Sequence, residues 1–132
     1  MNNAKFLEVN PVLPVKNVSK AIEYYVNKLG FRLRFTNTPN EPRYAGIERG
    51  GVRLHLQWHD ASEFEEAGDV ALRRVDTVSL RFVIDDADIL FEEYKDKDVF
   101  HSRTDILDTA WGTREFAFYD LDGNGLFFYH NL

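Results

Sequence analysis

One order of apolar patterns occurs twice along this chain of 132 residues. In the first half, a helical pattern is formed by residues spaced three and four apart, namely Val18, Ala21, Ile22, Tyr25 and Leu29. Asn17 is a suitable N-cap and Gly30 a suitable C-terminal stop. Segments of period 2 flank this helix, and their predicted ranges are Phe6 to Val15, Phe31 to Phe35, Tyr44 to Glu48 and Val52 to Trp58.

The second half repeats this order of elements. Asp85 and Asp86 offer a cap to a shorter helical face that contains Leu90 and Tyr94. The predicted strands run from Thr77 to Ile84, Val99 to Ile106, Arg114 to Tyr119 and Leu126 to His130. The sequence therefore predicts an α+β fold of two tandem β-α-β-β-β modules in one domain, with module one at about residues 5–59 and module two at about 77–132.

Residues 60–76 join the two modules and begin with an acidic stretch. Five acids and no base occur between Asp60 and Asp69. A solvated linker is one interpretation, and an acidic rim that attracts cationic ligands is the other.

Composition excludes several functions. The chain has no Cys, so disulfides, thiolate metal sites and a cysteine nucleophile are absent. The net charge is −6 without a basic stripe, which disfavours nucleic acid as a partner. No apolar run approaches the length of a membrane span, so we expect a cytoplasmic protein that does not bind membranes.

Two motifs resemble those of a known superfamily, the vicinal oxygen chelate or glyoxalase/bleomycin resistance/dioxygenase group. Residues 13–25 with Leu29-Gly30-Phe31 resemble its opening strand, helix and Gly-Phe turn. Residues 111–116 and 120–124, WGTREF and DLDGN, are similar to the closing motif of the bleomycin-resistance branch. The resemblance covers nearly the whole chain and implies two cupped mixed sheets, often completed in a homodimer.

The resemblance also implies where a metal would bind in the enzymes of this superfamily. The corresponding positions are Asn10, His55, Ser79 and Phe127, of which only His55 is a good ligand. Divalent ions need three or four N or O donors, so we expect no metal, no cofactor and no catalytic residue.

A cleft without a metal is then the candidate binding site. If His55 points into the cup, strand alternation places Arg53 and Gln57 beside it, and Phe127 and Tyr129 are the counterparts in module two. Trp111 precedes Gly112 and could present its indole to a flat ligand or act as a packing lid. Glu115 is expected to pair with its neighbour Arg114, and the alternative is that its carboxylate points at a ligand. The candidate ligand-binding residues are Trp111, His55, Gln57, Tyr129, Phe127, Phe35 and Tyr44.

These residues favour a protein that binds and sequesters a planar, cationic small molecule without catalysis, as the bleomycin-resistance branch implies. The alternative is a metal-dependent enzyme of the glyoxalase, dioxygenase or thiol-transferase type. A domain that acts only through its dimer surface is a third possibility. The cup alone does not identify the ligand.

Overall fold

The computed structural model describes residues 2–64 and 76–132. Module one contains β1 (Val12–Val15), α1 (Val18–Glu23), a π-helical segment (Tyr24–Lys28), β2 (Arg32–Thr36), β3 (Tyr44–Arg49) and β4 (Val52–Trp58). A 3-10 helix (Ala61–Phe64) follows. Module two contains β5 (Ser79–Val83), α2 (Ala87–Tyr94), β6 (Leu107–Asp108), β7 (Thr113–Tyr119) and β8 (Gly125–Asn131).

The two modules form two four-stranded mixed sheets of the same topology. The strand orders are β1-β4-β3-β2 and β5-β8-β7-β6. In each sheet the first pair is parallel, β1 with β4 and β5 with β8, and the other pairs are antiparallel. The predicted α+β fold with two cupped mixed sheets is confirmed.

The helices begin where the caps predict. The side chain of Asn17 accepts a hydrogen bond from the Lys20 amide, and that of Asp86 accepts one from the Ile89 amide. The first helix continues as a π-helical segment from Tyr24, and its first two residues, Tyr24 and Tyr25, are both buried. This wider segment departs from the single α-helix that the sequence predicts.

Each sheet has one covered face and one open face. Leu54 and Leu56 of β4 are buried in the core, whereas the alternating residues Arg53 and Gln57 are exposed. In module two, Phe116, Phe118 and Phe128 pack around Tyr94 of α2. The buried side chains of both modules form one hydrophobic cluster.

Hydrogen bonds from the DLDGN turn join module two to module one. Asn124 is fully buried and donates through Nδ2 to the Pro14 carbonyl oxygen at 3.1 Å. Asp120 accepts a 2.7 Å bond from the Tyr25 hydroxyl, and Asp122 accepts one from the Lys16 amide at 2.9 Å. The turn itself is closed by Asp120 Oδ1, which accepts from the amides of residues 122 and 124.

A second set of contacts joins the modules through Arg49. This guanidinium donates to Glu93 at 2.6 and 2.8 Å and to the Leu29 carbonyl oxygen at 2.8 Å. The Tyr94 hydroxyl donates to the same carbonyl oxygen, and burial raises the pKa of Tyr94 to about 12. These bonds hold the β3–β4 turn against α2.

Two predicted strands are corrected. The strand predicted from Phe6 is limited to Val12–Val15, the residues that pair in parallel with His55–Trp58 of β4. Residues 2–10 form an arm without regular secondary structure, in which Phe6, Leu7 and Val9 are exposed. The strand predicted from Val99 to Ile106 is wrong as well. Its middle is a turn in which the Thr104 amide donates to the His101 carbonyl oxygen, and only Leu107–Asp108 pairs with β7.

The joining segment lies partly outside the described residues. Of residues 60–76, the 3-10 helix over Ala61–Phe64 is described and residues 65–75 are not, so most of the predicted acidic rim falls outside the structure described. Within residues 2–64 and 76–132, no helix is long and apolar enough to cross a membrane.

Candidate functional site

An aromatic cluster occupies the open face of module one. The hydroxyl of Tyr44 and Nδ1 of His55 lie 2.7 Å apart and share a hydrogen bond. The ring centroids of Phe35 and His55 are 5.4 Å apart in an edge-to-face arrangement, and Phe35 also stacks on Tyr44 at 6.5 Å. The structure therefore brings three of the predicted site residues together. Gln57 lies on the same face, opposite Tyr44, and is exposed.

A bulge in β2 places Phe35 in this cluster. Leu33 pairs with Ile47 and Phe35 with Gly46, so Arg34 is the additional residue and the side-chain alternation shifts. The ring of Phe35 lies directly over Gly46, where a Cβ atom would be only 2.7 Å from Cδ1 of Phe35. Because Gly46 has no side chain, the ring of Phe35 can lie close against the backbone of the sheet.

A carboxylate surrounded by arginines lies beside the aromatic cluster. Glu48 of β3 is 8% exposed and forms ion pairs with three guanidiniums. Arg32 is in direct contact with it, Arg34 Nε lies at 3.6 Å and Arg53 Nε at 3.2 Å. Strand alternation predicted that Arg53 lies on this face. Arg32 and Arg34 were missed, because their positions depend on the register of β2 with β3, which includes the bulge.

The open face of module two carries Phe127 and Tyr129, as predicted, but their rings face an arginine. The guanidinium of Arg81 lies 4.6 Å from the centroid of Tyr129 and 5.5 Å from that of Phe127. Arg81 is held by Glu115 at 2.8 Å, and Glu115 also accepts from the Thr113 hydroxyl. The expected pair of Glu115 with Arg114 is wrong, since Arg114 instead binds Asp108 and Asp88 on the other face of β7.

A recess of about 320 Å³ adjoins Phe127. Ala117, Tyr119 and Gly125 share the open face with Phe127, and the turn containing His101 and Thr104 forms the opposite wall. The sequence did not indicate this recess, because residues 99–106 were expected to be a strand. This recess therefore lies next to Phe127 on the open face of module two.

Trp111 lies apart from both clusters. It is 71% exposed on a turn closed by the Thr109 amide, which donates to the Thr113 carbonyl oxygen at 2.8 Å. Gly112 has a φ of +91°, which favours glycine, and nothing lies within 4 Å of where its Cβ would be. The indole is thus exposed in the single chain and does not act as a lid over its own sheet.

The four positions that would hold a metal in related enzymes do not fit one. Nδ1 of His55 is engaged by Tyr44, and the positive charge of Arg81 stands over Phe127. Asn10 Oδ1 is buried and has no hydrogen-bond partner among the described residues, but this position supplies a single amide oxygen. Across the described part of the chain, no three His, Asp or Glu side chains are grouped closely enough to bind an ion.

The fold and the open faces define a class of protein: a doubled β-α-β-β-β chain whose two cups are lined by aromatic side chains and arginines. The model of the Glyoxalase/Bleomycin resistance protein/Dioxygenase superfamily matches residues 8–128, and the chain belongs to that superfamily.

Individual relatives point to the bleomycin-resistance branch. The bleomycin resistance protein of Geobacillus stearothermophilus is 29% identical over 133 residues, which cover 96% of this chain and 98% of the relative. Among solved structures, the bleomycin-binding protein of Streptomyces verticillus in complex with copper(II)-bleomycin has a TM-score of 0.72 and 26% identity, covering 96% and 97% of the two chains. A glyoxalase-related enzyme from Clostridium phytofermentans, 19% identical with a TM-score of 0.74 over the whole of both chains, shares the fold.

Proposed function

We propose that this protein binds bleomycin or a related planar, cationic glycopeptide and sequesters it without chemical change. The observation that carries the proposal is that each sheet leaves one face open and lines it with aromatic rings, His55, Tyr44 and Phe35 in module one and Phe127 and Tyr129 in module two. Rings of this kind stack on flat ligands. Relatives named for bleomycin resistance and bleomycin binding support the choice of ligand.

Sequestration also agrees with the chemistry of the open faces. The residues at the metal positions of related enzymes do not form a ligand set, and the carboxylates Glu48 and Glu115 are each bound by arginine. We therefore propose no catalytic residue. The net charge of −6 favours the approach of a cationic ligand from a distance.

We further propose that the working form is a homodimer with two equivalent clefts, each built from module one of one chain and module two of its partner. The candidate residues of the two modules lie on separate sheets, and within residues 2–64 and 76–132 of one chain nothing covers either open face. Trp111 and Phe6 are also exposed, and a second chain would bury such apolar surface. In this proposal residues 1–132 form one domain, divided into modules as the sequence predicts.

We place the protein in the cytoplasm. The chain has no Cys, so no disulfide depends on an oxidising compartment. A tagged chain expressed in bacteria should therefore be recovered in the cytoplasmic fraction.

Binding of bleomycin to the purified protein tests the proposal. Isothermal titration should give saturable binding, and mass spectrometry of the released ligand should show an unchanged mass. Trp111→Ala should weaken binding by about 2 kcal/mol or more, since a stacked indole is a typical anchor. Ile89→Ala removes an equally exposed apolar side chain from α2 and should bind as the parent does.

Two results would contradict this account. Absence of binding to the folded protein rejects sequestration of bleomycin. Equal affinity of Trp111→Ala and the parent removes Trp111 from the site and leaves His55, Gln57 and Tyr129 as the residues to test.

A further inference from the structure

The arginine cluster on the open face of module one has more positive charge than its own carboxylates neutralise. Three guanidiniums, those of Arg32, Arg34 and Arg53, contact a single buried carboxylate, Glu48. Among the described residues, one other carboxylate lies within 4.0 Å of these guanidiniums. It is that of Glu8 in the arm, whose Oε2 lies 3.8 Å from Arg53 Nη1. At least one positive charge therefore remains on this face, although the whole chain carries −6.

The cluster also has unused hydrogen-bond donors. A guanidinium has five N–H groups, whereas one carboxylate has about four acceptor sites for all three arginines together. The side chains of Arg32 and Arg53 are 70% and 41% exposed, so part of each side chain is open to solvent. Arginine forks match the oxygens of a carboxylate, sulfonate or phosphate, and such charge-assisted bonds are stronger than neutral ones.

Aromatic rings stand next to these donors. The guanidinium of Arg34 lies 5.9 Å from the centroid of Phe35, and Phe35 contacts both Tyr44 and His55. Arg53 and His55 alternate on the same face of β4, and Gln57 continues that row. A flat ring against Phe35 and Tyr44 would thus bring an attached anionic group to the arginines.

We infer that module one contains an oxyanion subsite, in which Arg53, Arg34 and Arg32 bind an anionic group carried by an aromatic ligand. This rests on the proposed binding function and adds to it: besides any cationic part, the preferred ligand has a carboxylate, sulfonate or phosphate next to its planar ring. Glu48 lowers the affinity of the three arginines for the anion, because it neutralises part of their charge.

Two probes with the same ring and opposite charge test this subsite without using bleomycin. We expect the protein to bind naphthalene-2-sulfonate at least about fivefold more tightly than trimethyl(2-naphthyl)ammonium, as charge-assisted bonds to arginine would give. In a ¹H–¹⁵N titration, the sulfonate should shift the amide signals of Arg53, His55 and Gly46. Equal binding of the two probes, no binding of either, or shifts confined to other residues would overturn the inference.

Variants separate recognition from folding. Arg53→Gln should abolish the preference for the sulfonate, while Glu48→Gln should strengthen sulfonate binding, because it removes the competing carboxylate. A merely structural role predicts weaker binding in both variants, which would contradict the inference. Lys95→Gln removes one positive charge at the C-cap of α2 and should retain the preference. Arg32→Gln, at the most exposed arginine, is the second test if Arg53→Gln fails to fold, and it should reduce the preference.

The two proposals can fail separately. A protein that binds bleomycin but does not distinguish the two probes lacks the oxyanion subsite. A protein that prefers the sulfonate but does not bind bleomycin has the subsite and a different ligand.

Discussion

Single residues of the candidate site could be predicted when their neighbours lie on the same strand. His55, Arg53 and Gln57 share a face because a strand alternates, and the sequence predicts this directly. Arg81 could not be found in this way, because its contacts with Tyr129 and Glu115 depend on the registers of β5 with β8 and of β8 with β7. Asn124 belongs to the DLDGN motif that the sequence analysis identifies, but its bond to Pro14 spans 110 positions of sequence and has no local signal.

Asp122 provides a prediction at this scale. Burial raises the pKa of Asp122. Its side chain accepts a hydrogen bond from the Lys16 amide in module one. A raised pKa in the folded state means that the stability contribution is present below the unfolded-state pKa and is lost as the pH rises through the folded-state value. Asp122→Asn keeps an oxygen to accept from Lys16 and should therefore raise the melting temperature at pH 7. The gain should shrink near pH 3, where aspartate is protonated in both states.

Glu93 should show the opposite pH dependence. Hydrogen bonds from Arg49 lower the pKa of Glu93, so its contribution is present above the unfolded-state pKa and is lost as the pH falls through the folded-state value. Glu93→Gln should destabilise the protein at pH 7, by less than about 1 kcal/mol because the pair is partly exposed. Thermal unfolding of both variants from pH 3 to 8 checks the two signs, and parallel curves for parent and variants would contradict them.

Elements with regular periodicity could be located from the sequence, whereas irregular ones could not. The predicted range of β4, Val52–Trp58, is also the observed one, because alternation continues throughout it. The bulge in β2 could not be predicted from the sequence of Arg32–Thr36, because apolar and polar residues alternate throughout this strand. Residues 99–106 resemble a strand in their apolar content, but Phe100 and Ile106 pack on the core from a loop.

The bulge makes Gly46 a test of how β2 shapes the site. Gly46→Ala would push the ring of Phe35 off the sheet, so we expect a loss of about 1–3 kcal/mol in the free energy of unfolding. Bleomycin affinity should fall as well, because Phe35 leaves its place beside Tyr44 and His55. Denaturant unfolding and titration measure the two effects.

The double variant Gly46→Ala/Phe35→Leu is the control for this explanation. Removing the ring removes the overlap, so the double variant should regain most of the stability but not the affinity. If Gly46→Ala alone leaves both quantities unchanged, the close approach of the ring is not what requires glycine at this position.

At the scale of the whole molecule, the doubled topology could be predicted from the sequence, whereas the hydrogen bonds between the two modules could not. Equal element order in the two halves predicted two sheets of one type, and the strand orders confirm it. Residues 6–10 of the arm were expected to be sheet, because their apolar residues have a strand pattern. Among the described residues, this part of the arm pairs with no strand of its own chain.

Dimer formation is the prediction at this scale. Sedimentation equilibrium at micromolar protein should give about twice the 15.4 kDa of one chain. Replacing the exposed Phe6 and Val9 by Ser should shift the equilibrium toward monomer, because these side chains are uncovered in the single chain. Ile89→Ser on α2 is the matched control and should remain dimeric. A parent protein that sediments only as a 15.4 kDa species would refute the dimer.

The bonds from Asn124 and Asp120 to Pro14 and Tyr25 bear on the ancestry of such a chain. A single module on its own would expose the surface that the other module now covers. That surface includes polar groups, now buried, that need a hydrogen-bond partner. If the two modules descend from a single shorter gene, its product had to associate with a copy of itself before the gene was doubled. Fusion then turned a contact between molecules into one within a molecule. From that point each half was free to acquire its own side chains, such as His55 in one cup and Arg81 in the other.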